Sequence, residues 1–235
     1  MPSKKDNSRV RRYEQASPDA SLPETTARFL EQISRHIETC WGKERDTVFH
    51  EIVSEYAHID LHIVEATEQP PFHTIITSGM SDRPMTVPEG AEECRFAELV
   101  ISLPPTWPMD EESWKDERHW WPFRWLKQLA RFPHEYGSWL FCEHTVPNDD
   151  PPMAFAPTTE FCCMLLASPV LCSDKGGCLV IDDAIKIYLH SLIPIYREEM
   201  DFALSRSSGE LLDRLGEAGV TELLQIGRKN VCKSA

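Results

Sequence analysis

Residues 58–85 read HIDLHIVEATEQPPFHTIITSGMSDRPM, the pattern of a strand, a turn, a second strand and a polar loop. Ile59, Leu61 and Ile63 alternate with His58, Asp60 and His62, the period-two pattern of a half-buried strand. Gln69-Pro70-Pro71 ends the run, because proline fixes φ and cannot donate to a sheet ladder. Phe72 to Thr77 is rich in aromatic and β-branched residues and reads as the returning strand. A polar run follows, Ser78-Gly79-Met80-Ser81-Asp82-Arg83-Pro84-Met85. Gly79 permits a left-handed backbone there, and the small polar side chains can bond nearby amides. A stiff hairpin with a polar loop at its end is a common way to present a binding surface.

Upstream of the hairpin, Pro23 to about Trp41 has the pattern of a helix. Ser21 and Glu24 stand at capping-box spacing, Phe29, Leu30, Ile33, Ile37 and Cys40 form an apolar stripe, and Gly42 stops the run. Thr47 to Glu55 alternates as a strand would. Before Pro23, residues 1–22 are polar, charged and without periodicity, and read as a mobile arm.

Downstream, Phe96 to Leu103 is a strand stopped by Pro104-Pro105. Glu98 is a charge inside it, read as a solvent-facing residue at a sheet edge. Thr106 to Glu117 is a Trp- and acid-rich loop, and Trp120 to about Tyr136 is a helix with Trp121, Trp125, Leu126 and Leu129 on its core face. Trp139 to Cys142 starts a further strand, and Asn148 to Pro152 is an acidic turn. Phe161 to Ala167 is continuously apolar, as a strand buried on both faces should be. Ile185 to Ile195 is another strand, Tyr196 to about Leu204 a helix with acid at its start, and Ser208–Leu215 and Thr221–Ile226 short helical pieces. The result is an α+β chain without internal repeats: a single domain over 23–227, a mixed and largely antiparallel sheet flanked by helices, and a mobile tail at 228–235.

Composition narrows the function classes. A hydrophobic content of 41% supports a sizeable core, and a net charge of −14 argues against a sequence-independent grip on nucleic acid while suiting a basic partner. No apolar run approaches the roughly 18 residues a membrane helix needs, so no membrane partner is expected. The opening MPSKKDNSRVRRYEQ has no apolar core and does not read as a signal peptide. The eight cysteines form no CxxC pair and read as reduced, which places the chain in the cytoplasm.

Catalytic motifs are missing: there is no GxGxxG, Walker loop, GxSxG or HExxH, and no cofactor is expected. His58, Asp60 and His62 share a strand face, with His50 and His73 elsewhere in the same region, and these are zinc or iron ligand types. Strand neighbours at i and i+2 lie roughly 7 Å apart, so convergence on one ion would need help from another strand. A metal-dependent hydrolase on these residues is the enzymatic alternative.

Several segments together resemble the suppressor of fused domain family in its bacterial form. They are the run at 58–85, AELVISLPPTWP from Ala97, WLKQLARF from Trp125, and SLIPIYREEMDFAL from Ser191. The GMSD segment, the AELVISLP strand and the PI-x-x-EE segment stand in the family's order, and the similarity spans about Pro23 to Ile226. The resemblance implies a mixed α/β domain and a protein-binding role rather than an enzyme. Eukaryotic relatives bind a short peptide of GLI-type transcription factors as an added strand, and bacterial relatives act as immunity proteins in polymorphic toxin systems. By resemblance, Asp82 and Glu98 match the acidic contact positions. Gly79, Met80 and Ser81 complete the expected partner-binding loop. The expected partner is then a basic toxin domain, with a regulatory scaffold that binds a peptide strand as the milder alternative.

Overall fold

The computed structural model describes residues 11, 13, 28–45 and 57–233. Seven strands form one sheet: β1 (Asp60–Val64), β2 (His73–Ser78), β3 (Ala97–Leu103), β4 (Thr145–Pro147), β5 (Cys163–Ala167), β6 (Cys178–Val180) and β7 (Lys186–Ile195). Four helices accompany it: α1 (Leu30–Cys40), α2 (Glu117–Glu135), α3 (Arg197–Ser205) and α4 (Ser208–Glu217). The strand order is β1-β2-β3-β7-β5-β4, with β3 and β7 parallel and the other pairs antiparallel. β7 is the longest strand and the centre of the sheet. Its edge away from β3 is shared, β6 pairing along Lys186–Tyr188 and β5 along Ser191–Ile195.

Both faces of the sheet are covered, which is why its strands are apolar on both sides. On one face Leu61, Ile75, Leu99, Ile101, Leu166 and Leu192 pack under α2, whose Trp121, Leu126 and Leu129 are buried against them. The other face is divided. Ile33 and Ile37 of α1 pack on Ile76, Val100 and Ile187, while Met200, Leu211 and Leu215 of α3 and α4 pack on Leu165, Ile193 and Ile195. Burial stabilises by roughly 1.5–3 kcal/mol per large aliphatic side chain, so these three clusters hold the fold. Among the described residues, no helix is long and apolar enough to cross a membrane.

The structure departs from the sequence reading at four places. β1 is buried on both faces, not half-buried: Asp60 is 4% exposed and His62 1%, because α1 and residues 42–45 lie over the polar face. Trp139–Cys142 is not a strand. His144 N–H bonds the Phe141 carbonyl at 3.2 Å and Glu143 takes φ +69°, so the chain turns there and pairs only afterwards, as β4. Thr221–Ile226 is not helical: Leu223 bridges Ser102, and Leu224 N–H donates to the Ser102 carbonyl at 2.8 Å where β7 has left the edge of β3. Residues 228–232, assigned by sequence to the tail, are tied to α3. Arg228 makes a two-armed ion pair with Glu199 at 2.7 Å per arm, both side chains at most 5% exposed. The strand expected over 47–55 and the helix start at Pro23 lie outside the described residues.

Candidate functional site

The polar loop after β2 is built around Glu98. The β1–β2 ladder runs to Asp60↔Ser78, but the β2–β3 ladder stops at Ile76↔Val100. The Glu98 carboxylate fills the wedge this leaves. Thr77 Oγ1 donates to Glu98 Oε2 at 2.6 Å while accepting from Leu99 N–H at 2.8 Å, so a hydroxyl extends the interrupted ladder. Ser81 donates twice to Oε1, from its amide at 2.9 Å and its hydroxyl at 2.6 Å. Burial pushes the Glu98 pKa up to about 7; the bonds from Ser81 and Thr77 oppose that rise, and the charge of Asp82 adds to it.

Two further contacts fix the loop. Gly79 has φ +100°, and a Cβ there would lie 1.9 Å from the His58 carbonyl oxygen, so only glycine fits. His134 Nε2 of α2 donates to the Met80 carbonyl at 2.9 Å, and burial holds the His134 pKa below its ordinary value, as suits a neutral ring. Met80–Asp82 then form a single helical turn. Asp82 Oδ1 accepts from the Arg28 amide at 2.8 Å, taking up an otherwise orphaned donor just ahead of α1. Burial raises the Asp82 pKa, with the amides of Arg28 and Phe29 working against it and Asp60 working with it.

The partner-binding residues read from sequence are thus brought together, but as an interior cluster. Glu98 is not a solvent-facing edge residue: it is 0% exposed, because β3 is an inner strand between β2 and β7 and its carboxylate meets donors from Thr77 and Ser81. Gly79, Met80 and Ser81 are buried as well, and Asp82 is half-buried.

The histidines are also engaged. His62 Nδ1 meets Glu44 Oε2 at 2.6 Å and Nε2 meets Ser78 Oγ at 2.8 Å, so both ring nitrogens are occupied. Glu44 also accepts from Ser34 Oγ at 2.7 Å. Burial works to raise the Glu44 pKa, yet the bonds from His62 and Ser34 outweigh it and leave it below the ordinary value. His58 pairs with Asp60 at 3.1 Å, and His73 accepts from the Ala66 amide at 3.0 Å. Among the described residues no three His, Cys, Asp or Glu side chains are placed to hold a metal ion, and His50 lies outside those residues.

An accessible acidic feature lies at the opposite end of the sheet. β4 is the last strand in the order, with a ladder partner on one side only among the described elements. Its outer side opens into a groove of about 890 Å³ between the end of α2, the turn at 141–144, α3 and the start of α4. Phe132, Tyr136 and Trp139 supply aromatic walls, and the exposed carboxylates of Glu143, Asp149 and Asp201 line the rim. Arg197 faces Asp201 at 3.9 Å. Glu143 is presented by a left-handed backbone at the turn into β4, and Trp139 packs edge-on against His144 with ring centroids 4.8 Å apart. Burial lowers the His144 pKa, with the nearby charge of Arg11 acting in the same direction. An acidic, aromatic-walled channel along an edge strand suits an extended basic segment.

The sequence model of the suppressor of fused protein (SUFU) matches residues 55–229, three quarters of the chain. The chain belongs to the suppressor of fused family. Its fold agrees with solved members of the family. A SUFU homolog from Neisseria gonorrhoeae FA 1090 is 18% identical, with a TM-score of 0.60 over 88% of this chain and 96% of that one. A chain of the Sufu–Fu complex is 14% identical, with a TM-score of 0.59 over 86% and 90%. Drosophila Suppressor of Fused gives 14% and 0.59, over 86% of this chain and 50% of that one. Among curated proteins no sequence matches. The family segments quoted from the sequence fall on structural work. In PI-x-x-EE, Glu199 holds Arg228, accepts from the Tyr196 amide at 3.0 Å and from the Val231 amide at 2.9 Å. The β4 groove escaped sequence reading because its walls come from four separated segments. The one local signal was the acidic turn beginning at Asn148.

Proposed function

We propose that this member of the suppressor of fused family is a non-enzymatic, cytoplasmic protein-binding module. It takes a basic extended segment of its partner along β4, and the partner is a toxin domain that it neutralises. The observation that carries the reading is the acidic groove walled by aromatic side chains and bounded by an edge strand. Strand addition supplies main-chain hydrogen bonds, and the groove's side-chain pockets supply selectivity. The net charge of −14 would steer a basic toxin domain toward the chain. Family membership and a relative seen in the Sufu–Fu complex support a protein partner.

The test is co-expression with a secreted toxin domain, where one is encoded beside this chain. That domain should arrest growth alone and not in the presence of the chain. Association measured with both purified proteins should slow as ionic strength rises, and Glu143→Lys should slow it further, by about tenfold or more. Growth arrest that persists on co-expression would reject the toxin reading. Tight binding untouched by Glu143→Lys would move the site away from the groove.

A further inference from the structure

The β4–β5 ladder fixes which main-chain atoms the outer side of β4 offers. The two strands pair at Thr145↔Leu165, Val146↔Met164 and Pro147↔Cys163. At either end of these pairs, Leu166 N–H donates to the His144 carbonyl at 2.9 Å and Asn148 N–H to the Cys162 carbonyl at 2.8 Å. Bonded pairs alternate with unbonded ones along an antiparallel ladder. His144, Val146 and Asn148 therefore direct their main-chain groups to β5, and Thr145 and Pro147 turn theirs outward. Pro147 has no N–H. The outer side thus offers the N–H and carbonyl of Thr145 and the carbonyl of Pro147, and no described residue bonds these groups.

The same register sorts the side chains. Met164 and Leu166 belong to the core on the α2 face of the sheet, Cys163 and Leu165 to the core on the α3–α4 face. Directly opposed residues share a face. Val146 therefore lies on the α2 side, where, like Phe132 and Trp139, it packs against that core, while Thr145 and Pro147 lie on the α3–α4 side. The two walls of the groove differ accordingly. The α2 wall is aromatic. The other carries carboxylates: Asp201 stands on α3, and Glu143 reaches α4, where a Cβ on Gly209 would lie 3.6 Å from its carboxylate. Asp201 faces Arg197 at 3.9 Å, which makes Glu143 the stronger attractor for a cation.

We propose that the partner segment adds to β4 in a single antiparallel register, with a basic residue opposite Thr145 and an aromatic residue on each side of it. This rests on the reading of the groove as the partner site. The basic residue exchanges both main-chain bonds with Thr145 and shares its face, so its side chain points to the wall of Glu143 and Asp201. Its two neighbours point to the other face and meet Phe132 and Trp139. The residue two places before it donates to the Pro147 carbonyl, and there the ladder ends. A slip of one position would put the cation on the rings and an aromatic residue among the carboxylates. The recognised pattern is thus aromatic–basic–aromatic.

The experiment uses the full-length chain and fluorescein-labelled heptapeptides with Phe-Arg-Phe or Arg-Phe-Phe between pairs of threonines. Phe-Arg-Phe should bind at least about tenfold more tightly, because only it sets both rings on one face. N-methylation of its arginine amide should remove that advantage. N-methylation of the next phenylalanine amide, which points away from β4, should leave binding intact. Glu143→Lys in the protein should weaken Phe-Arg-Phe binding at least about tenfold. Equal binding of the two peptides, with both sensitive to Glu143→Lys, overturns the register and leaves the groove standing. Sensitivity at the phenylalanine amide in place of the arginine amide also overturns it, since that is the pattern of a parallel or slipped strand. Phe-Arg-Phe binding that is absent, or that ignores Glu143→Lys, overturns the register, and whether the groove itself falls is then decided by the cognate partner's own response to that substitution.

Discussion

Glu98 and Glu143 are both carboxylates beside β-strands, and the molecule treats them in opposite ways. Glu98 is fully buried, with its two oxygens meeting three donors from Thr77 and Ser81. Glu143 is exposed on a turn at the start of the last strand, at the rim of a groove. A charge interrupting an apolar strand indicates interior organisation, because only a satisfied carboxylate tolerates that site. A charge on a turn beside an edge strand is the one a partner can reach. The expected consequences separate the two regions: changes around Glu98 act on folding, and changes around Glu143 act on binding.

The largest effect belongs to Gly79. Gly79→Ala would set a methyl 1.9 Å from the His58 carbonyl at φ +100°, and backbone cannot yield cheaply. We expect a loss of more than about 4 kcal/mol, seen as failure to recover folded protein or as a collapsed urea midpoint. Gly90 also has positive φ, +87°, but nothing lies within 4 Å of its would-be Cβ. Gly90→Ala should cost only about 1 kcal/mol. Similar losses for the two would mean that backbone conformation alone, and not the close approach of the loop to β1, controls this region.

Glu98→Ala comes next, with an expected loss of about 3 kcal/mol from the donors left unsatisfied at Thr77 and Ser81. Partner binding should fall only in proportion to the folded fraction. The pH dependence adds an independent reading. A folded-state pKa of about 7 against an ordinary 4.5 means that the folded chain holds this proton more tightly than the unfolded chain. Glu98's contribution is therefore most favourable below pH 4.5 and is lost as pH rises through about 7. The span corresponds to about 3 kcal/mol. Urea unfolding of wild type and Glu98→Gln across this window should show the slope in the first and not in the second. Parallel profiles would mean that Glu98 is already ionised throughout.

This contrast also shows what the sequence made legible. The period-two run at Ile59–Ile63, the apolar run at Phe161–Ala167 and the helical spacing of Trp121, Trp125 and Leu129 each carry their own evidence, and they became β1, β5 and α2 within a few residues. The environment of Glu98 did not, since its donors sit 17 and 21 positions away and only the opened β2–β3 ladder brings them together. For the same reason His62 read as a surface ligand candidate when it is locked between Glu44 and Ser78. The groove was less legible still. β4 is three residues long and gives almost no periodic signal, and the aromatic wall at Phe132 belongs to a helix whose stripe read simply as core.

Asp82 sits between the two extremes, half-buried and bonded to the amide of Arg28. Asp82→Ala should cost about 1 kcal/mol, the usual effect of removing a side-chain acceptor from the start of a helix. It also removes a charge that raises the Glu98 pKa, so the pH-dependent fall in stability should move to lower pH. Hydrogen exchange should quicken in the first turn of α1 and not in β4. Loss of partner binding without loss of stability would return Asp82 to the partner-facing role that its sequence context suggested.

The smallest effect on folding is expected at Glu143, and it gives the sharpest test of the comparison. Its side chain is exposed and belongs to none of the apolar clusters, so Glu143→Gln should change stability by no more than about 0.5 kcal/mol. The backbone at φ +69° is unchanged by that substitution, so the turn into β4 keeps its shape. What changes is one negative charge at the groove rim beside Asp149 and Asp201. If a basic segment is drawn in there, association with the partner should slow several-fold at low salt, and the difference from wild type should shrink as salt is added, because screening removes the advantage the charge conferred. A difference that persists at high salt would instead indicate a direct, desolvated contact to Glu143, which dissociation rates would report. Unchanged association at every ionic strength, with unchanged stability, would mean that Glu143 serves neither folding nor binding, and the line drawn here between interior and exposed carboxylates would not be a line between structure and function.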